Sequence, residues 1–125
     1  MKTIISTEKA PKAIGPYSQA TEAHGLIYIS GQLPVDPASG KMAPADTAAQ
    51  TVASLRNIKS ILEAAGLTTE DILKTTVYMT DLTRFGEMNE AYGVFFRNNP
   101  PARAAFEVKA LPKGALVEIE AVAAR

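Results

Sequence analysis

Leu116-Val117-Glu118-Ile119-Glu120-Ala121-Val122-Ala123 is the stretch whose reading decides the fold. Strand alternation puts Val117, Ile119, Ala121 and Ala123 on one face, and Leu116, Glu118, Glu120 and Val122 on the other. The first face is wholly apolar and suits burial under a helix. The second mixes apolar side chains with two carboxylates. For Glu120, near the strand end, a polar sheet edge or a structural ion pair is the expected explanation. Glu118, between Val117 and Ile119, is expected to be partly buried, which raises a carboxyl pKa and suits proton transfer or the holding of a water.

Working outward, Leu111-Pro112-Lys113-Gly114 joins this strand to another over Arg103 to Val108. Before that, Asn98-Asn99-Pro100-Pro101 breaks a helix that starts near Thr83 and carries the stripe Phe85, Met88, Tyr92, Phe95 and Phe96. Ile72 to Met79 reads as a strand with apolar groups on both faces. Val52, Leu55, Ile58, Ile61, Leu62 and Ala65 recur at helical spacing up to Gly66, and Thr47 to Gln50 has the spacing of a capping box. Leu33 to Pro44, punctuated by Pro34, Pro37, Gly40 and Pro44, predicts a structured loop. Leu26 to Ser30 predicts a strand, and Ile4-Ile5 a short extended segment.

The order β-β-α-β-α-β-β predicts a two-layer α/β (α+β) domain over residues 1–125, with two helices on one face of the sheet. Two helices leave the other face bare. A second copy of the chain is its expected cover, so a homo-oligomer is predicted.

Composition narrows the chemistry. Among 125 residues, 13 Lys+Arg balance 13 Asp+Glu, so no global field favours a phosphate backbone. With no cysteine and His24 as the single histidine, thiolate nucleophiles, disulfides and multi-histidine metal cages are excluded within one chain. The N-terminus lacks an apolar signal core, and no apolar run reaches membrane-span length, so a cytoplasmic or organelle-matrix protein is expected, cytoplasmic first. Phosphate loops, the G-x-S-x-G elbow and H-E-x-x-H are all absent. Any chemistry must come from Arg, carboxylate, hydroxyl, amide and main-chain groups.

Arg103 lies by alternation with Ala105 and Glu107, opposite Ala104, Phe106 and Val108. An isolated arginine is most often a solvated surface residue. Here its small neighbours leave room for a guanidinium to grip a carboxylate with two parallel bonds. Ile14 to Gln19 and Ile29-Ser30-Gly31-Gln32 are short polar clusters whose plain reading is turn chemistry. Asn89 reads as a solvated helix position, and His24 before Gly25 as part of a hairpin turn.

Together these segments resemble the RidA/YjgF family, the reactive intermediate deaminases formerly labelled L-PSP endoribonucleases. The segments that carry it are Pro101-Ala102-Arg103-Ala104-Ala105-Phe106-Glu107-Val108, Leu111-Pro112-Lys113-Gly114 and Val117-Glu118-Ile119-Glu120-Ala121. Ala13 to Gln19, Ser30-Gly31-Gln32-Leu33-Pro34, and Asn57 to Gly66 running into Lys74-Thr75-Thr76-Val77-Tyr78 extend the likeness to essentially the whole chain.

The resemblance implies a chorismate-mutase-like fold and a trimer whose sheets close a central barrel, with clefts between subunits. It implies a cofactor-free and metal-free hydrolase that converts 2-aminoacrylate, 2-aminocrotonate and their imines to 2-keto acids and ammonia. Arg103 then matches the arginine that binds the substrate carboxylate, and Glu118 the glutamate that places the attacking water. Tyr17, Ser30 and Asn89 match polar residues of the cleft, with Tyr17 counted among the catalytic groups. Gly31 and the main chain at Ala105 lie beside the ligand. Many bacterial members have cysteine where this chain has Ala105, which weakens a thiol-based role more than deamination. Two other classes stand beside this one: an endoribonuclease that inhibits translation, and a non-catalytic 2-keto-acid sensor or chaperone using the same cleft.

Overall fold

In the computed structural model, which describes residues 1–125, the chain forms a six-stranded mixed sheet with two helices packed on one side. The strands are β1 (Thr3–Ile5), β2 (Ala20–Ala23), β3 (Leu26–Gln32), β4 (Ile72–Met79), β5 (Ala102–Glu107) and β6 (Val117–Ala124). The helices are α1 (Thr47–Ala64) and α2 (Phe85–Phe95). Across the sheet the order is β1-β2-β3-β6-β4-β5. Every neighbouring pair is antiparallel except β4 and β5, which run parallel with α2 as their crossover.

The two-layer α+β architecture expected from the sequence is therefore present. Val117, Ile119, Ala121 and Ala123 of β6 are buried against Leu55, Ile58, Ile61 and Leu62 of α1, and Met88 and Tyr92 of α2 join the same core. Gly66, at φ 75°, ends the α1 pattern in the left-handed conformation that L side chains rarely adopt. Leu33 to Pro44 is a loop, tied by a single bridge between Val35 and Met42 and held to α1 by Asn57, whose amide donates to the carbonyls of Leu33 and Val35.

Three local readings need correction. β2 was not apparent from its sequence, because Ala20-Thr21-Glu22-Ala23 lacks the branched residues that mark strands. It pairs with β3 through the two-residue turn His24-Gly25, both at positive φ as a tight hairpin requires. At the start of α1 the cap is Asp46, whose carboxylate accepts from the Ala49 N–H at 2.8 Å, not Thr47. Gln50 is instead drawn inward, where its side-chain oxygen accepts from the Leu116 N–H at 2.7 Å and its amide donates to Pro44. Finally, Glu120 lies on a central strand of the sheet and not at an edge.

The face of the sheet away from the helices carries no helix. Tyr28 of β3 and Phe106 of β5 are each 54% exposed there, Ile4 of β1 is 62% exposed, and Val122 of β6 pairs with Tyr28 on the same face. No helix is long and apolar enough to cross a membrane.

Candidate active site

The candidate residues separate into two groups on opposite faces of the sheet. Register sets this division. Arg103 pairs with Thr75 of β4, and Ala105 with Val77; Thr75 and Val77 are fully buried under the helices. Glu118 pairs with Tyr78 and Glu120 with Thr76, on the other side of the same strand.

On the helix side, Arg103 stands at the open edge of the sheet, because β5 pairs only with β4. Its Nη1 donates to Oδ1 of Asn89 on α2 at 2.8 Å. The guanidinium carbon sits 4.8 Å from the centre of the Tyr92 ring and 5.5 Å from that of Phe85, a cation–π cradle. Tyr92 is itself fixed by a 2.7 Å hydrogen bond between its hydroxyl and that of Thr75. Burial raises the Tyr92 pKa, opposed by the Thr75 bond and the Arg103 charge. Arg103 forms no salt bridge, so a charged group is held on three sides while most of its donors are left uncommitted. Ala105, half-buried one alternate position further along, adds no bulk, and the outer edge of β5 offers unpaired main-chain groups.

On the bare side, Tyr17, Ser30, Gly31, Glu118 and Glu120 line one cleft of about 460 Å³, with Lys12 and Lys113 also in its wall. A bulge in β3 between Ile29 and Gln32 displaces Ser30 and Gly31 from the regular ladder with β6. Ser30 donates its hydroxyl to the Ser18 carbonyl at 2.6 Å. The bare Gly31 backbone lets the Glu118 carboxyl lie against it: a Cβ there would lie 2.5 Å from Oε2 of Glu118. Glu118 therefore rests directly on the bulge, half-buried and without a hydrogen-bond partner in the chain. Burial first, and the Glu120 charge second, push its carboxyl above the ordinary glutamate value. Glu120 accepts from the Tyr78 hydroxyl at 2.5 Å, which with partial burial pushes that phenol up to about 12.

The wall beneath Tyr17 depends on a residue whose importance its sequence context does not reveal. Gln19, buried behind the cleft, accepts from the Thr7 N–H at 2.7 Å and donates to the carbonyls of Thr7, Ala10 and Pro11. One amide thus pins the whole segment before the cleft. Tyr17, 48% exposed, accepts a long contact from the Ile14 N–H at 3.4 Å and is otherwise free. His24 lies in the β2–β3 turn, far along the strands from both groups. No three His, Cys, Asp or Glu side chains converge in a way that could hold a metal ion.

The helix side thus offers a braced cation, and the bare side a carboxyl of raised proton affinity beside a hydroxyl-lined cleft. Several known proteins are similar to this chain. A profile of the family described as Endoribonuclease L-PSP matches residues 7–125. A RutC family protein of Pyrococcus horikoshii is 51% identical over 123 residues, which span 98% of each chain. The human 2-iminobutanoate/2-iminopropanoate deaminase is 49% identical over 123 residues, covering 98% of this chain and 90% of the human one. Among solved structures, E. coli TdcF with bound serine superposes with a TM-score of 0.94 at 45% identity, over 98% of both chains. The chain belongs to the Endoribonuclease L-PSP family, the one its Arg103 and Glu118 segments resemble under the name RidA or YjgF.

Proposed function

We propose that this protein hydrolyses the enamine and imine forms of small 2-amino-alkenoic acids, such as 2-aminoacrylate and 2-aminocrotonate, to 2-keto acids and ammonia. The observation that carries the reading is Arg103, a guanidinium braced by Asn89, Tyr92 and Phe85 yet paired with no carboxylate of its own chain. Such a group is prepared for a substrate carboxylate. The deaminase name of the human relative and the serine bound by TdcF, itself a small α-amino acid, support the same substrate class.

Because Arg103 and Glu118 lie on opposite faces, the working site is assembled from two copies of the chain. One copy supplies Arg103, Asn89 and the main chain at Ala105; its neighbour supplies Glu118, Tyr17, Ser30 and Gly31. Three copies closing their bare faces into a central barrel satisfy this arrangement and cover Tyr28, Phe106 and Val122 together.

The imine carbon is already electrophilic, so the site has to orient and to handle protons. Arg103 fixes the carboxylate. Glu118 holds the water that adds across C=N, takes one of its protons, and returns a proton to the departing nitrogen. One imine and one water yield one keto acid and one ammonia, with no cofactor or metal. Such a catalyst belongs in the compartment that houses the dehydratases producing these intermediates, the cytoplasm.

The test is keto-acid release from 2-aminoacrylate generated in place by a serine dehydratase. Arg103→Ala is expected to abolish the acceleration given by the wild type, and equal rates for both would falsify this reading. Cleavage of labelled RNA by highly purified protein, lost with the same substitution, would transfer the site to the ribonuclease class. Sedimentation equilibrium of the wild type is expected to give three times the chain mass.

A further inference from the structure

On the bare face, the best hydrogen-bond donor near Glu118 is spent on its neighbour. Tyr78 of β4 stands directly opposite Glu118 in the antiparallel register, while Glu120 stands opposite Thr76. The Tyr78 side chain nonetheless runs diagonally, and its hydroxyl meets Oε1 of Glu120 at 2.5 Å. Short O–H···O contacts of this kind belong to charge-assisted bonds, and they fix the carboxylate that accepts them. Glu118 and Glu120 are two residues apart on one strand face, which places their carboxyls roughly 7 Å apart along the strand. Both line the same cleft. One is fastened by the Tyr78 hydroxyl; the other rests on the Gly31 bulge with no donor.

We infer that Glu120, fastened by the Tyr78 hydroxyl, is a positioning residue that governs when Glu118 carries a proton. Two like carboxyls in one cleft do not ionise independently; the pair loses its protons in two steps. The Tyr78 bond fixes where the second carboxyl stands, so Glu118 ionises against both partial burial and a neighbouring carboxyl of fixed position. The direction found for Glu118, upward through burial and then through Glu120, agrees with this geometry.

The other charged or titratable groups facing the pair are few. Lys12, Tyr17 and Lys113 stand in the cleft wall, and Lys74 occupies an exposed alternate position of β4 on the same face. None of the three lysines forms an ion pair with Glu118 or Glu120, and all are exposed to solvent that screens them. The carboxyl–carboxyl interaction is the one held in fixed geometry.

The catalytic consequence rests on the deaminase reading. A residue that gives a proton to a departing nitrogen and takes one from water works best when its pKa approaches the working pH. Glu120 and Tyr78 move Glu118 in that direction without touching substrate.

The test separates the two claims. In glutamate-labelled protein, carbon NMR follows each carboxyl through a pH titration, independently of activity. Glu120→Gln is expected to move the Glu118 midpoint to lower pH, and Tyr78→Phe, which frees the Glu120 carboxyl, to move it in the same direction by less. In the imine assay, Glu120→Gln is expected to shift the acid limb of the kcat profile by the same amount as the NMR midpoint, with KM little changed. A Glu118 midpoint unmoved by Glu120→Gln overturns the inference even if the protein is a deaminase. Conversely, a protein without imine turnover still answers the question through its titration curves.

Discussion

Ile119 and Glu118 are adjacent on β6, yet the two sheet faces they occupy are completed by different means. The Ile119 face is closed within the chain: Val117, Ile119 and Ala123 are all at 0% exposure under α1 and α2. The Glu118 face keeps Tyr28 and Phe106 in solvent and holds a carboxyl without a partner. One face therefore carries the core of the chain, while the other is left without a helix and is the face on which the proposed association and chemistry depend. Strand alternation lets both requirements share eight residues without competing for a position.

The largest expected effect lies on the closed face. Ile119→Ala leaves a hole among α1 side chains and is expected to cost about 2–5 kcal/mol in urea unfolding. Val122→Ala, on the open face, is expected to leave the chain's own stability within about 1 kcal/mol while weakening self-association seen by sedimentation. Similar losses from both substitutions would erase the distinction between the faces.

A sharper probe is Gly31→Ala. The added methyl meets the far end of the Glu118 side chain, which can swing aside at little cost. Stability should hardly change, whereas imine turnover should fall roughly 100-fold if displacing the carboxyl by an ångström misplaces the water. Full activity in a protein that melts normally would remove Glu118 from its proposed role.

The smallest effect is a gain. Burial and the Glu120 charge hold the Glu118 carboxyl above its unfolded value, so ionisation costs stability. That stability is fully present below the unfolded pKa and is lost as pH rises through the folded one. Glu118→Gln, neutral throughout, is thus expected to raise Tm slightly at neutral pH and not at all in acid. The group is half-exposed, so solvent keeps the gain small. A variant less stable than wild type at pH 7 would mean that Glu118 has a favourable partner.

The same two faces mark what the sequence disclosed. Hydrophobic periodicity was sufficient for α1, α2, β3, β4 and β6, because burial writes its period into residue choice. It failed at Ala20–Ala23, which becomes a strand through its turn and its neighbours and not through its own side chains. It also misplaced the cap of α1 by one residue, because Gln50 serves Leu116 across the fold and Asp46 takes the local duty. The motif resemblance picks out Arg103, Glu118, Tyr17, Ser30, Gly31, Asn89 and Ala105 as candidates. It does not give their division between faces. Alternation gives the parity of each residue within its strand, but relating Arg103 to Glu118 needs the register of β5 and β6 on β4, a long-range quantity. Gln19 escaped for a related reason: its four bonds reach back to residues 7–11, and nothing local distinguishes it from a turn amide.

The place of β6 in the sheet has a consequence for how the chain is made. It follows all the other strands in sequence, yet it stands between β3 and β4. During synthesis the β1-β2-β3 ladder and the β4-α2-β5 unit leave the ribosome first, each with a raw edge and an unclosed apolar floor. The sheet cannot be joined across its middle until residues 117–124 have emerged, so from the completion of β5 until then it stands as two separate ladders. Such long-range closure is slow, and an exposed edge waiting for its partner invites the wrong one. For this chain, escape from aggregation is decided in the interval between synthesis of β5 and insertion of the final strand.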